Sequence, residues 1–192
     1  MKTVIQYKRF IIMGFSLLLI LLVFIFGMKS CSGVSHKAPE GVVKSLIKAY
    51  GNRKEKKIRD CYGAEKETEQ ALQQEINANI QYFKAHNTKE IEILDCDILF
   101  QNEKYTYVYI NYQLVLENGQ AYPCISTYMT SKKDGKYYIL PPSQITDEMS
   151  KQAAADYAKF MTTNTYKNYV KEYETFIKKN PGYEDRIASK LS

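Results

Sequence analysis

The sequence lacks the short motifs that most enzyme classes require. It has only two histidines, His36 and His86, and no Gly-x-Ser-x-Gly segment, so it offers neither a histidine metal pair nor a serine-hydrolase triad. Glycine-rich phosphate-binding loops are also absent from the sequence. These absences predict a protein that is not an enzyme, and they leave no catalytic residue, cofactor or metal site to name.

The chain also lacks a strong excess of one charge beyond its N-terminal segment. The first 31 residues hold four of the 27 basic residues, Lys2, Lys8, Arg9 and Lys29, and none of the 21 acidic ones. From Ser32 onward the charges nearly balance, whereas nucleic-acid binding needs a clustered basic face. The composition therefore excludes a nucleic-acid partner.

One long hydrophobic run is present near the N-terminus. Residues 10–28 (FIIMGFSLLLILLVFIFGM) carry no charge. A helix of this length covers roughly 28 Å, close to the ~30 Å hydrocarbon thickness of a bilayer. The basic residues before the run predict a cytoplasmic N-terminus at 1–9, and export of everything after the span. The sequence thus predicts a single-pass protein of a bacterial cell membrane whose C-terminal domain is extracytoplasmic.

The segment that follows the span offers a second mode of attachment. Met28-Lys29-Ser30-Cys31-Ser32-Gly33 resembles the end of a bacterial lipoprotein signal, in which Cys31 would carry the lipid. That signal takes small uncharged residues before the cysteine, and Lys29 departs from it. We favour an uncleaved span at 10–28 because the apolar run is long. Lipidation of Cys31 is the alternative, and both modes of attachment export the domain.

A linker at 29–39 leads into a region with helical periodicity. Apolar residues at helical spacing predict three short helices, at 40–50, 53–62 and 64–86. The helical pattern returns after Thr146, a suitable N-cap, and predicts a helical C-terminal extension over 146–192. Polar residues 162–165 and the stop at Asn180-Pro181-Gly182 divide this extension into three helices.

Between the two helical regions the periodicity changes to that of strands. Asn118-Gly119 and Asp134-Gly135 are typical hairpin turns between alternating runs. These and one further turn separate four predicted strands, at 90–100, 105–117, 120–131 and 136–140. The pattern predicts an α+β domain over 40–145 with a four-stranded antiparallel sheet.

This order of helices and then strands resembles the nuclear transport factor 2-like (cystatin-like) superfamily. The resemblance covers 38–143 and lies in the opening segment APEGVVKSLIKAYGNRKEKKIRDCYG, whose second helix ends in Cys61-Tyr62. It implies a cone-shaped domain in which three short helices pack on a curled sheet and enclose a pocket. Some members bind small molecules there, isomerases of the superfamily place an acid or a tyrosine there, and bacterial membrane-anchored members include assembly components of secretion machines.

Five tyrosines of the predicted sheet form a candidate face for a ligand or partner, because amphipathic rings suit contacts that are partly wet. Tyr105, Tyr107 and Tyr109 share one face of the second strand. Tyr122 and Tyr128 on the third strand complete the candidate groove. The alternative is that the three tyrosines of the second strand cover a half-exposed face or support the C-terminal helices. The opposite face of that strand is the predicted core face, with Thr106, Val108, Ile110, Tyr112, Leu114 and Leu116.

Two smaller groups of residues are further candidate sites. Asp95 and Asp97 flank Cys96 and could form an acid/base pair, but no basic partner is evident from spacing, so a solvent-facing strand is favoured. Cys61, Cys96 and Cys124 lack the spacing of a zinc site. Two of these cysteines can pair in an oxidising compartment, or all three can be buried free thiols.

Taken together, the anchor, the aromatic sheet and the missing catalytic motifs predict a non-enzymatic, membrane-anchored module outside the cytosol. Its expected contacts are a protein partner, a second copy or an envelope assembly. One alternative is an exported domain that binds an apolar small molecule between the sheet and the first helix. Another is an isomerase-like enzyme, which would need a buried acid.

Overall fold

The computed structural model describes residues 33–64 and 69–191. The predicted span at 10–28 and the candidate lipidation site Cys31 lie outside these residues, so both stay predictions. None of the helices in the described ranges is long and apolar enough to cross a membrane.

Helices and strands follow one another in blocks. In the described residues the elements are α1 (Pro39–Gly51), α2 (Glu55–Cys61), α3 (Gln70–Ala85), β1 (Thr88–Gln101), β2 (Thr106–Leu116), β3 (Ala121–Lys133), β4 (Lys136–Ile139), a 3-10 turn (Pro142–Gln144), α4 (Asp147–Phe160), α5 (Asn164–Lys179) and α6 (Tyr183–Leu191). This order confirms the predicted α+β class, with helices, a four-stranded antiparallel sheet and a helical C-terminal extension.

The sheet is an antiparallel meander in the order β1-β2-β3-β4. Its tightest turn joins β3 to β4, where Asp134 and Gly135 have φ angles of 51° and 77°. Two successive positive φ angles match the twist of the flanking strands, which is why Asp-Gly is favoured there. The segment before α1 also touches the sheet, because the N–H of Tyr137 donates to the carbonyl of His36 over 2.9 Å.

The sheet is not curled, which corrects the expectation drawn from the superfamily resemblance. β2 and β3 pair from Thr106↔Thr130 to Val115↔Ala121 without a register shift. All three register shifts of β1 against β2 fall on the edge strand. Bulges and kinks are what introduce curvature into a sheet, and the inner β2–β3 pair has none.

Side chains of the edge strand β1 accept hydrogen bonds from some of the strand's own backbone N–H groups. The N–H of Cys96 donates to the carboxylate of Asp95, and the N–H of Ile98 donates to that of Asp97, each over 2.8 Å. Both aspartates are exposed, as the sequence predicted. Their position and contacts therefore fit a solvent-facing strand rather than an acid/base pair.

The main core lies between the first three helices and one face of the sheet. The apolar residues of α1 recur at helical spacing, so one face of this helix packs against the core. Pro39 and Glu40 are residues that favour the first turn of a helix. Three aromatic rings then stack in series through this layer. Tyr50 lies 5.8 Å from Phe83, which lies 6.4 Å from Tyr112. Tyr50 is fully buried in this series.

The C-terminal extension covers its own domain. Helix α4 starts at Thr146, whose side chain accepts a hydrogen bond from the N–H of Met149. Its residue Ala153 packs in a second apolar cluster with Tyr105, Tyr107 and Met129. Helix α5 then places Phe176 in the main core cluster. The extension has an aromatic stripe on α5, of which Phe176 is buried and the other members, Tyr166, Tyr169, Tyr173 and Ile177, are half-buried.

Candidate functional site

The five tyrosines of the predicted groove do not share a face. In the β2–β3 pairing, Val108 lies opposite Tyr128 and Leu114 lies opposite Tyr122. Directly paired residues point to the same side of a sheet. Tyr122 and Tyr128 are therefore on the core side, whereas Tyr105, Tyr107 and Tyr109 are on the other, so the single groove predicted from the sequence does not form.

The three tyrosines of β2 support the C-terminal helices, which was the alternative interpretation of their pattern. Each is at most 8% exposed. The ring of Tyr109 lies 4.4 Å from that of Phe160 at the end of α4, and the hydroxyl of Tyr107 donates to Thr127 over 3.0 Å. These rings belong to the packing between the sheet and helix α4.

Tyr122 joins the sheet to the last two helices. Its hydroxyl donates to Oε1 of Glu184 over 2.7 Å. Its ring packs 5.2 Å from Phe176 and 5.3 Å from Tyr183. Like Tyr105, Tyr107 and Tyr109, Tyr122 makes these contacts within the chain.

Tyr107 and Tyr128 line an open cleft. We call it the Glu75 cleft and define it by Tyr62, Glu75 and Tyr128 with the apolar side chains of Met129, Leu140 and Ile145. The cleft has a volume of about 370 Å³, within the range of roughly 300–1,000 Å³ that is usual for ligand sites. It opens where β4 has ended, so this part of β3 has no neighbouring strand.

A carboxyl group with an unusual environment lies in the cleft. Glu75 is half-buried on α3, and the hydroxyl of Tyr62 donates to its Oε1 over 3.2 Å. The hydroxyl of Tyr50 lies 3.4 Å from that of Tyr62. The second carboxyl oxygen, Oε2, is buried and has no hydrogen-bond partner among the described residues. None of the ion pairs formed by those residues includes Glu75.

The environment of the cleft keeps its groups protonated more readily than in water. Burial raises the pKa of Glu75, and the hydrogen bond from Tyr62 only partly opposes this effect. Burial also raises the pKa of Tyr50, Tyr62 and Tyr128. The three tyrosines are therefore hydroxyl donors at neutral pH, next to a carboxyl group that has no counter-ion in the described structure. Such a set can bind a hydrogen-bond donor, and it can also exchange a proton.

A second cavity adjoins the first one through Tyr128. It measures about 240 Å³ and lies between Asn79, Tyr82 and Ser126, so it is smaller than a usual ligand site. Only side chains of α3, the sheet and α5 line it.

Glu75 is not among the site residues predicted from the sequence. On α3 it directly precedes Ile76, which belongs to the apolar stripe of that helix, and this position at the margin of the stripe was the available signal. The tyrosines that enclose it come from distant parts of the chain, so helical spacing alone does not show that Glu75 is desolvated.

The three described cysteines are free thiols. Cys61 and Cys124 are buried and Cys96 is half-buried, and burial raises the pKa of each thiol to about 12. This arrangement matches the free-thiol alternative rather than a disulfide. Within residues 33–64 and 69–191, no three His, Cys, Asp or Glu side chains are grouped so that they could hold a metal ion.

No protein-family model matches the chain, and no curated protein matches it. The α+β fold class therefore follows from the structure alone.

Proposed function

We propose that this protein is a non-enzymatic, membrane-anchored extracytoplasmic module of the nuclear transport factor 2-like kind. It binds a protein partner or a second copy at the bacterial cell surface or within an envelope assembly. The packing between the first three helices and the sheet supports this proposal: the rings of Tyr50, Phe83 and Tyr112 stack in series there, and the cavity beside Phe83 and Tyr112 measures about 240 Å³, less than a usual ligand site. A domain filled in this way offers its surface for binding.

The C-terminal extension supports the same proposal. It partly covers its own aromatic stripe and leaves a charged outer side on α5, where Lys171, Glu172 and Lys178 are exposed. Interspersed charges of both signs at a surface favour specificity and fast encounter with a protein partner more than affinity.

Photo-crosslinking of the full-length protein in its native membrane tests the partner. A photoreactive phenylalanine at Leu94, Met161 or Leu191 replaces side chains that are 43%, 45% and 44% exposed, so the core is not disturbed. We expect a discrete protein adduct after illumination at one of these positions, with the unilluminated sample as control. Illuminated samples that contain no adduct at any of the three positions contradict the proposal.

A reporter fused after Ser192 tests the location. The basic residues Lys2, Lys8 and Arg9 hold the N-terminus inside, so the reporter should be active only outside the cytosol. Cytosolic activity contradicts the proposed topology. The mass of the mature N-terminus decides between the two attachments, since an intact Met1 excludes lipidation at Cys31.

Binding of a small molecule by the exported domain is the second candidate function. The observation that favours it is the Glu75 cleft, which combines a usable volume, an apolar lining and a desolvated carboxyl group. The isomerase-like alternative needs a buried acid, and Glu75 is the half-buried carboxyl group that this alternative would use.

A further inference from the structure

We propose that the Glu75 cleft binds a small organic amine in its protonated form. The ammonium group pairs with the carboxylate of Glu75, and the apolar part of the amine lies against Met129, Leu140 and Ile145. This site goes beyond the proposed interaction with a protein, and it stands or falls separately from that function.

One carboxyl oxygen of Glu75 lacks a hydrogen-bond donor among the described residues. Oε1 of Glu75 accepts from Tyr62, whereas Oε2 is buried without a partner among the described residues. A buried acceptor without a donor is costly and uncommon in folded proteins. The terminal torsion of a glutamate side chain is soft, so Oε2 can turn toward a donor that enters the cleft. A ligand N–H supplies that donor.

Glu75 has no positive partner among the described residues. The other side chains with polar groups that line the cleft are all neutral hydroxyls, of Tyr62, Tyr107, Thr127, Tyr128 and Ser150, and the hydroxyl of Tyr50 lies behind that of Tyr62. No lysine or arginine in the described part of the chain pairs with this carboxyl group. A neutral alcohol would supply the hydrogen bond but not the charge. An ammonium group supplies both, so it stabilises the ionised form of Glu75.

The walls of the cleft include aromatic and apolar side chains. Tyr62 and Tyr128 line it, and aromatic rings attract cations through the negative charge of their faces. Met129, Leu140 and Ile145 provide an apolar surface next to these rings. A carboxylate beside aromatic and apolar side chains suits an ammonium group carried on a short hydrocarbon.

Benzylammonium is a suitable probe, with benzyl alcohol as its neutral counterpart of the same shape. The full-length protein is kept in a non-ionic detergent, and binding is measured by saturation-transfer NMR and by calorimetry. Glu75→Gln removes the charge but keeps an oxygen that can accept from Tyr62. Glu90→Gln is the matched control, because Glu90 is exposed on β1 and lies outside the cleft.

We expect saturable binding of benzylammonium that weakens about tenfold or more in Glu75→Gln and is unchanged in Glu90→Gln. Benzyl alcohol should bind more weakly than the amine and equally to all three proteins. Equal affinity of the amine for wild type and Glu75→Gln overturns the proposal, as does the absence of saturable amine binding.

A measurement on the unmodified protein makes the test independent of how Glu75→Gln folds. Between pH 4 and 8 benzylammonium keeps its charge, whereas Glu75 gains a proton as the pH falls. The affinity of the wild-type protein should therefore decrease toward acid pH. An affinity that does not change over this range overturns the proposal, and neither outcome affects the crosslinking test of the partner.

Discussion

The hydroxyl of Tyr62 donates a hydrogen bond to Oε1 of Glu75 over 3.2 Å and so joins the residue after α2 to the middle of α3. Tyr50 of α1 stands behind this contact, with its hydroxyl 3.4 Å from that of Tyr62. A polar chain thus connects three helices inside a layer that is otherwise apolar. Its effect on the stability of the protein depends on whether Glu75 carries a proton.

Glu75 should make the protein less stable as the pH rises. Burial raises its pKa in the folded state, so its favourable contribution is complete below the unfolded value of about 4.3. That contribution is lost as the pH rises through the higher folded pKa. Thermal unfolding from pH 4 to 8 should therefore show Glu75→Gln gaining stability relative to wild type. The control Glu90→Gln should show no such trend, and a constant difference between Glu75→Gln and wild type would refute the prediction.

His86 should have the opposite dependence on pH. Burial lowers its pKa to about 4, because its ring is enclosed by Tyr82, Tyr122 and Tyr183. The neutral ring contributes stability that is complete above the unfolded pKa of about 6.5 and is lost as the pH falls toward 4. The loss is about 3 kcal/mol by proton linkage.

Urea unfolding at pH 7 and pH 4 measures the contribution of His86. The free energy of unfolding of wild type should fall between these two pH values by about 3 kcal/mol more than that of His86→Gln. His36→Gln also removes one histidine but leaves the His86 environment intact, so it should behave like wild type. An equal fall in wild type and His86→Gln would show that this ring does not respond to acid as proposed.

Leu114→Asp should unfold the domain. Leu114 has 0% exposure near the end of β2, and a buried unpaired carboxylate costs more than about 4 kcal/mol. Leu94→Asp is the matched control, since Leu94 is also in the sheet but 43% exposed. Circular dichroism and thermal unfolding should show a folded Leu94→Asp and an unfolded Leu114→Asp. Equal stability of the two variants would mean that the sheet faces are assigned wrongly.

Removal of the C-terminal extension should weaken the fold in two steps. A stop after Asn180 removes α6, whose Lys190 donates to the carbonyl of Ala85 over 2.9 Å and whose Ile187 is 5% exposed. A stop after Gln144 also removes α4 and α5 and uncovers Tyr105 and Tyr107. We expect a lower melting temperature for the first truncation, and for the second a further decrease together with binding of a hydrophobic dye. A melting temperature that is the same in both truncations and the full chain would contradict this role.

The order of elements could be predicted from the sequence because local signals marked most of their ends. Asp134-Gly135 predicted the last hairpin, and the structure has two positive φ angles there. Thr146 predicted the start of α4, and its side chain caps that helix. Signals of this kind act within a few residues, so the structures they predict do not depend on contacts with distant parts of the chain.

The candidate site could not be predicted because it depends on contacts between distant segments. Tyr122 and Tyr128 were grouped with the odd-numbered tyrosines of β2, but the register across the hairpin pairs even-numbered residues with even-numbered ones. That register follows from the turn at Asn118-Gly119, so it was a signal that could have been used. The desolvation of Glu75 had no comparable local signal, because it arises from Tyr62 and from the end of β4.

The aspartates of β1 bear on how two copies of this domain can meet. An open sheet edge usually invites a strand from a neighbour, since its backbone groups have no partners. Here Asp95 and Asp97 take the N–H groups of Cys96 and Ile98, and the register shifts interrupt the edge. An approaching strand would meet two negatively charged side chains and an edge on which some backbone N–H groups are already hydrogen-bonded. Strand pairing between copies through the β1 edge is therefore disfavoured.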